Sequence, residues 1–404
     1  MFRKIESKIP ISFNVFRNVS IISLIIILLL SLFAIFSPIP KQLHKSRVKV
    51  GKQVWAFYSG NYGNILSDGQ WKTWPTNSLS SKSYSDIKEP PIPLNQQLYP
   101  ALGLYSSHDP SVLKTHLLWA HQAGIDVLIF EWWGESVTNE SNNTNNTNNY
   151  HNFYSKKDGF SDMTLKMLLE YAPEYHIKIT PFIMNYEDQH SRSSQSFYDD
   201  AIYLWNNYAS NPSILHLFDK PVFGVFDPNS IHNIFSSFQK LKSKGIEPFW
   251  FGSYLSPKDV GSLVEEGFHA LLTYSPVDEA TEASNSSLWT SYALDFKQRG
   301  LLFIPTVAPG ANLPRNIFIF HDFDKKRLRK NSQYYDYMWE VALKVKTDVI
   351  AIASFNSWKE ASNIEPPIDR DGYRLNDDTW DNSSDPEFYL KRTKYWIDHY
   401  KGFA

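Results

Sequence analysis

The chain has 404 residues, a formal net charge of −2 and no cysteine. The balanced charge argues against a nucleic-acid partner, and the lack of cysteine excludes disulfides, zinc–thiolate sites and a cysteine nucleophile. Aromatic residues make up 16% of the chain, including 13 Trp and 23 Tyr. This surplus favours a sugar-binding site, because flat apolar sugar faces stack on rings, although a large aromatic core would give the same composition.

Residues 19–36 form an almost continuous apolar run in which Ser20, Ser23 and Ser31 are the polar interruptions. At 1.5 Å per residue a helix of this length just crosses a bilayer. A cleaved signal peptide is the alternative, but the following Ser-Pro-Ile-Pro at 37–40 is a poor small-residue cleavage site. We therefore predict a cytosolic tail at 1–18, a transmembrane signal anchor at 19–36 and a stem at 37–52.

The orientation of this segment is not decided by charge, because basic residues flank it on both sides. Asn-x-Ser/Thr sequons offer a better criterion, since they are glycosylated in secreted or lumenal segments. Five of them follow the apolar run, at Asn139, Asn142, Asn145, Asn285 and Asn382. The pattern favours a lumenal body.

Eight short apolar runs follow the stem, and most are rich in β-branched and aromatic residues. Continuous runs of this kind are typical of strands that are covered on both faces. They lie at 53–58, 126–132, 177–184, 221–226, 248–253, 269–274, 301–307 and 348–354.

Helical patterns separate most of these runs. Asp109-Pro110-Ser111 resembles a helix start, with Gly124 as its stop. Further candidate helices lie at 164–175, 194–209, 230–244, 256–266, 284–299 and 333–346. The alternation predicts one (β/α)8 TIM-type barrel over 53–404. A doubly wound open sheet is the alternative, but no Gly-x-Gly-x-x-Gly follows any strand, so a dinucleotide site has no support.

In such a barrel the functional side chains stand at the C-terminal ends of the strands. Here those ends gather aromatic residues and carboxylates, without histidines at metal-ligand spacing. This mixture suits glycoside hydrolysis, which needs one carboxylic acid to protonate the leaving oxygen and a second group to complete the displacement. Core packing is the alternative for each single ring, and a solvated loop carboxylate is the alternative for Glu360.

Several sequence blocks resemble a known family. Residues 99–107 read Tyr-Pro-Ala-Leu-Gly-Leu-Tyr-Ser-Ser and precede Asp-Pro-Ser-Val at 109–112. Gly-Ile-Asp-Val-Leu stands at 124–128, Phe-Ile-Pro-Thr-Val at 303–307 and Ser-Phe-Asn at 354–356, ahead of Trp358 and Glu360. On these blocks the chain resembles glycoside hydrolase family 99, the endo-α-1,2-mannosidases.

The resemblance implies a single-pass type II protein of the Golgi membrane whose lumenal barrel hydrolyses mannose-containing N-glycans, as oligosaccharides or on glycoproteins. It implies that Glu360 is the catalytic acid/base and that no cofactor or metal is needed. The expected substrate-binding residues are Tyr58, Tyr62, Trp132, Trp133, Tyr186, Tyr274, Asn356 and Trp358.

Two family carboxylates are missing from this chain. The family's Asn-Glu-Trp-His-Glu motif, whose first Glu is thought to deprotonate the sugar 2-hydroxyl for attack on C1, has Ser357 at that position. The family's His-Ile-Glu-Pro-Tyr appears with Met184 in place of Glu. The alternatives are a catalytically inactive, lectin-like relative or a barrel enzyme for another α-glycan. Glu131, Glu187 and Asp188 are candidates to replace a lost carboxylate.

Overall fold

The computed structural model describes residues 50–74, 98–135, 159–185, 192–312, 326–370, 380 and 385–403. The predicted tail and anchor, and the stem up to residue 49, lie outside these ranges. Within the described ranges, no helix is both long and apolar enough to span a membrane. The described residues belong to one compact unit, Lys49–Ala404.

Eight parallel strands, counted within the described residues, form the central sheet. Each pairs with the next in chain order, and β8 pairs with β1. They are β1 (Gln53–Tyr58), β2 (Val127–Trp132), β3 (Lys178–Ile183), β4 (Lys220–Val225), β5 (Phe249–Ser253), β6 (Ala270–Leu272), β7 (Leu302–Ile304 with Thr306–Val307) and β8 (Val349–Ile352).

The seventh strand closes the barrel in two pieces. Leu302–Ile304 pairs with β6, and Thr306–Val307 pairs with β8. Pro305 separates the two pieces, because proline has no amide hydrogen to donate to a ladder. The closed order confirms the predicted barrel and excludes the open-sheet alternative.

Eight α-helices of seven or more residues, counted in the described part of the chain, connect and flank these strands. They are α1 (Pro110–Gln122), α2 (Phe160–Tyr171), α3 (Ser194–Tyr208), α4 (Ile234–Ser243), α5 (Val260–Glu266), α6 (Trp289–Arg299), α7 (Gln333–Val345) and α8 (Phe388–Lys401). The predicted start of α1 is confirmed, since the Asp109 side chain accepts a hydrogen bond from the Ser111 amide. Helix α8 has no counterpart among the predicted elements.

Short elements decorate the barrel. Ile65–Asp68 is a single helical turn, and 3₁₀ turns lie at Ala172–Tyr175, Pro228–Ser230, Pro257–Asp259 and Ser286–Leu288. His216–Leu217 adds antiparallel to β4, Tyr99–Pro100 pairs with Pro367–Ile368, and Ala311–Asn312 pairs with Lys326–Arg327. The last two pairs lie in segments that follow barrel strands, so they tie loops together near the mouth.

Two apolar layers occupy the two faces of the sheet. Trp55, Phe57 and Ile129 belong to the cluster that fills the barrel, which we call the interior cluster. Their strand neighbours, such as Ala56 and Leu128, belong to the larger layer between the sheet and the helices. This alternation follows from the period of two along a strand, and it decides which side chains can face the mouth.

Candidate active site

Glu360 lies in the loop after β8 and is buried, with 7% of its surface exposed. Its Oε1 accepts a hydrogen bond from the Tyr274 hydroxyl at 3.1 Å, and its Oε2 accepts one from Ser362 Oγ at 3.2 Å. The Ser357 side chain lies close enough to favour the ionised form of the carboxylate as well. Burial raises the pKa of Glu360 above its ordinary value, and these hydroxyl groups only partly oppose the rise. A raised pKa makes this carboxyl group suitable as a proton donor.

Tyr274 forms the floor of the mouth. Its ring contacts Phe57 at a centroid distance of 4.9 Å and Phe226 at 5.4 Å, both edge to face. Burial raises the pKa of the Tyr274 hydroxyl well above its usual value, and the charges of Glu360 and Glu131 raise it further. The hydroxyl therefore stays protonated and acts as a donor to Glu360.

Glu131 and Trp133 bring β2 to the same mouth. Glu131 is half-buried and lies two residues after Ile129 of the interior cluster, so its side chain lies on the inward face. Trp133 is half-buried and packs against the interior cluster, and its amide donates to Ser161 Oγ at 2.9 Å. Of the predicted substrate-binding residues that the structure describes, Tyr274 and Trp133 are therefore the ones placed next to the interior of the barrel.

The prediction that Tyr58 and Trp132 form sugar-binding walls is wrong for this structure, because both side chains are fully buried between the sheet and the helices. The Tyr58 hydroxyl lies 2.9 Å from His116 Nδ1. Trp132 Nε1 donates to Asp162 Oδ1 at 3.1 Å, and its ring stacks on Tyr203. Neither ring has a surface left for a ligand, so the core-packing alternative holds for both.

Tyr62, Asn356 and Trp358 are also buried, and they hold the loop that carries Glu360. The Tyr62 hydroxyl donates to the Asn356 carbonyl at 2.9 Å and accepts from the Trp358 amide at 3.0 Å. The Asn356 side chain exchanges two hydrogen bonds with the backbone of Ser59, at 2.7 and 2.9 Å. These contacts correct their expected role from substrate binding to positioning of the β8 loop.

A buried network below this loop was not predicted from the sequence. The Glu365 carboxylate is fully buried and accepts from Trp358 Nε1 at 2.6 Å and from the Tyr105 hydroxyl at 2.9 Å. His116 Nε2 lies 3.1 Å from its other oxygen. The His116 ring therefore links Glu365 to the Tyr58 hydroxyl, which lies 2.9 Å from Nδ1. Glu365 follows the recognised Ser-Phe-Asn block closely, but no local pattern in the chain points to its partners.

Arg329 supports the loop from the other side. Its Nη2 donates to the carbonyls of Ala361 at 2.9 Å and Asn363 at 2.7 Å. The guanidinium lies 4.8 Å from the ring centroid of Trp380 and 4.7 Å from that of Tyr389. The buried cation thus fixes the chain just after Glu360.

The C-terminal end of β3 carries an apolar residue and not a carboxylate. Met184 is buried in the interior cluster, and its carbonyl accepts from Arg192 Nε at 2.6 Å. The predicted substrate contact Tyr186, together with Glu187 and Asp188, lies outside the described residues. Among the residues that are described, no group of three or more His, Asp or Glu side chains could hold a metal ion.

The family model of glycosyl hydrolase family 99 matches residues 49–402. Glycoprotein endo-alpha-1,2-mannosidase from Rattus norvegicus is 25% identical over 367 residues, which cover 86% of this chain and 74% of the rat protein. The human glycoprotein endo-alpha-1,2-mannosidase-like protein is 23% identical over 380 residues, covering 87% and 77%.

A solved structure supports the same assignment. The GH99 endo-alpha-mannosidase from Bacteroides thetaiotaomicron superposes with a TM-score of 0.69 and 26% identity, over 87% of this chain and 98% of the bacterial one. The family match spans nearly the whole of the described barrel. The chain belongs to glycosyl hydrolase family 99.

Proposed function

We propose that the protein is an endo-acting α-mannosidase that cleaves mannose-containing N-glycans. The observation that carries the proposal is Glu360, a buried carboxyl group with a raised pKa at the mouth of the barrel. Similarity to a protein named glycoprotein endo-alpha-1,2-mannosidase supports the choice of bond and sugar, and similarity to a solved endo-alpha-mannosidase supports the choice of sugar.

The geometry suggests what each group does. Protonated Glu360 gives its proton to the glycosidic oxygen as the bond to the sugar carbon breaks, so the leaving group departs as an alcohol. The carboxylate that remains is stabilised by the hydroxyls of Tyr274 and Ser362 at 3.1 and 3.2 Å. It can then accept a proton from the water that completes hydrolysis.

Substitution of Glu360 by glutamine tests this role. Without its acid, the enzyme should lose about 10²- to 10⁴-fold in kcat on an α-mannosyl oligosaccharide. The binding of the same oligosaccharide, measured by calorimetry, should stay within a few-fold, because glutamine has nearly the same size and shape as glutamate. Full activity of Glu360→Gln would remove Glu360 from the acid role.

A lectin-like function is the second candidate, since Ser357 and Met184 stand where the family motifs have carboxylates. The same measurements of activity and of oligosaccharide binding separate the two functions. A wild-type protein that binds α-mannosides but hydrolyses none of them, at several pH values, would favour the lectin-like function over the hydrolase.

We further propose that the protein resides in the Golgi membrane as a single-pass type II protein with a lumenal barrel. The apolar run 19–36 and the sequons that follow it support this topology. Protease treatment of sealed microsomes tests it: the barrel should resist digestion until detergent is added. Digestion without detergent would place the barrel on the cytosolic side.

A further inference from the structure

The mouth of this barrel needs a second carboxylate if it is to hydrolyse a glycosidic bond in the usual way, with one acid and one base or nucleophile. The β8 loop offers Glu360 but has Ser357 three residues earlier. A neutral serine hydroxyl is too weak a base to hold a proton at neutral pH, so Ser357 does not replace the missing carboxylate. Here Ser357 instead lies close enough to Glu360 to lower the pKa of that carboxyl group.

Strand β2 places Glu131 on the inward face of the barrel. Val127 and Ile129 belong to the interior cluster, and Glu131 continues the same alternation at the C-terminal end of the strand. In register, Glu131 lies beside Phe182 of β3. Phe182 packs edge to face on Phe57 at 5.5 Å, and Phe57 packs on Tyr274. We call these three rings the aromatic floor, and Glu131 stands at their level.

The floor connects Glu131 with Glu360. Phe57 contacts Tyr274 at 4.9 Å, and the Tyr274 hydroxyl donates to Glu360. Strands β2 and β6 face each other across the eight-stranded barrel, so Tyr274, which follows β6, extends from the side opposite Glu131. The negative charges of Glu131 and Glu360 both act on the Tyr274 hydroxyl. The two carboxylates thus border one floor residue.

Asp227 is the other carboxyl group at a described strand end that could supply the second carboxylate. It follows Phe226, whose ring faces Tyr274, and alternation turns the Asp227 side chain away from the floor. It hydrogen-bonds Ser230, and the neighbouring charge that acts on it is Asp259. Asp227 therefore serves as a matched control carboxyl group.

We propose that Glu131 is the second catalytic carboxylate, a base supplied from β2 in place of the one that the β8 loop lacks. This inference rests on the proposed function. Glu131 accepts the proton of the mannose 2-hydroxyl while that oxygen bonds to C1, the glycosidic bond breaks, and Glu360 protonates the leaving oxygen. Water then attacks C1 and gives its proton to Glu360, the C1–O2 bond opens, and O2 regains the proton held by Glu131.

The test first removes the carboxylate from β2 and then introduces one into the β8 loop. Glu131→Gln should lower kcat on an α-mannosyl oligosaccharide about 10²- to 10⁴-fold, with the Kd for the oligosaccharide changed by only a few-fold. The acidic limb of the pH–rate profile, which reports a base that must be ionised, should disappear. Asp227→Asn should keep kcat within about threefold.

Introducing Ser357→Glu into the Glu131→Gln variant should raise kcat at least tenfold above that of Glu131→Gln alone, because it returns a carboxylate to the β8 loop. Adding formate to Glu131→Ala should also raise its rate, which a purely structural residue would not allow. Thermal unfolding of each variant confirms that it is folded.

The outcomes separate the two proposals. An active wild type in which Glu131→Gln has no effect overturns the assignment of Glu131 and leaves the proposed hydrolase intact. A severe loss that neither Ser357→Glu nor formate relieves shows that Glu131 acts in another way and also overturns it. A wild type without activity, together with an active Ser357→Glu variant, overturns both proposals for the natural chain.

Discussion

The Tyr274 hydroxyl donates a hydrogen bond across 3.1 Å to Oε1 of Glu360, joining the loop after β6 to the loop after β8. The donor is neutral because burial raises the pKa of Tyr274 well above its usual value. The acceptor is a carboxyl group whose own pKa burial raises. The bond favours the ionised form of Glu360, so it limits how far that pKa rises.

Removing this donor should change the pH dependence of activity. In Tyr274→Phe the carboxylate of Glu360 loses a stabilising hydrogen bond, and the pKa of Glu360 should therefore rise further. Because a general acid must be protonated, activity falls as pH rises through that pKa, and the alkaline limb of the kcat profile should move to higher pH. Tyr395→Phe, on the surface of α8, is the matched control. An alkaline limb that stays in place or moves to lower pH would contradict the assignment of Glu360.

The burial of Glu360 should lower the stability of the protein at neutral pH. Its pKa in the folded state is raised above the ordinary 4.5. At pH values between 4.5 and the raised pKa, the folded state therefore binds more protons than the unfolded state. The free energy of unfolding then decreases as pH rises through this window. Glutamine does not ionise, so Glu360→Gln is free of this pH-dependent loss. The free energy of unfolding of the variant minus that of wild type should therefore be larger at pH 7.5 than at pH 4. Urea denaturation at both pH values measures the difference, and an equal difference at the two pH values would contradict the raised pKa.

Glu365 should be a structural requirement of the loop that carries Glu360. Glu365→Leu removes the acceptor of Trp358, Tyr105 and His116 and leaves these buried donors unsatisfied. Since a buried unsatisfied donor costs about 1–3 kcal/mol, we expect the free energy of unfolding to fall by about 3–5 kcal/mol. Glu247→Leu, which breaks an exposed pair with Lys220, should change it by less than about 1 kcal/mol. Similar losses in the two variants would show that the network contributes little.

Gly224 should tolerate no side chain. It is an inward position of β4, and a Cβ there would overlap ring carbons of Phe182 and Phe251, which stack at 5.4 Å. Gly224→Ala should therefore lower the free energy of unfolding by about 1–3 kcal/mol or more. Gly261 in α5 has open space around its Cβ direction, so Gly261→Ala should leave stability unchanged or raise it by up to about 1 kcal/mol. A harmless Gly224→Ala would mean that the interior cluster has room to rearrange.

Some features of the site were readable from the chain and others were not. Glu360 and Tyr274 were expected at the mouth because each follows a strand-like run, and in a parallel barrel all such ends meet at one mouth. The structure places the two side chains within hydrogen-bond distance of each other. Tyr58 and Trp132 were misassigned because their strands are apolar on both faces. Without polar alternation, a sequence contains no signal that separates an inward from an outward side chain.

The sequence by itself determined the strand order and the barrel, because eight apolar runs separated by helices have few other ways to bury both faces of a parallel sheet. It also determined the family, through blocks that lie far apart in the chain. Only the tertiary structure decided which residues surround Glu360. The contacts of Glu365 with His116 and of Glu360 with Tyr274 join residues 249 and 86 positions apart, and local sequence patterns do not encode contacts at such separations.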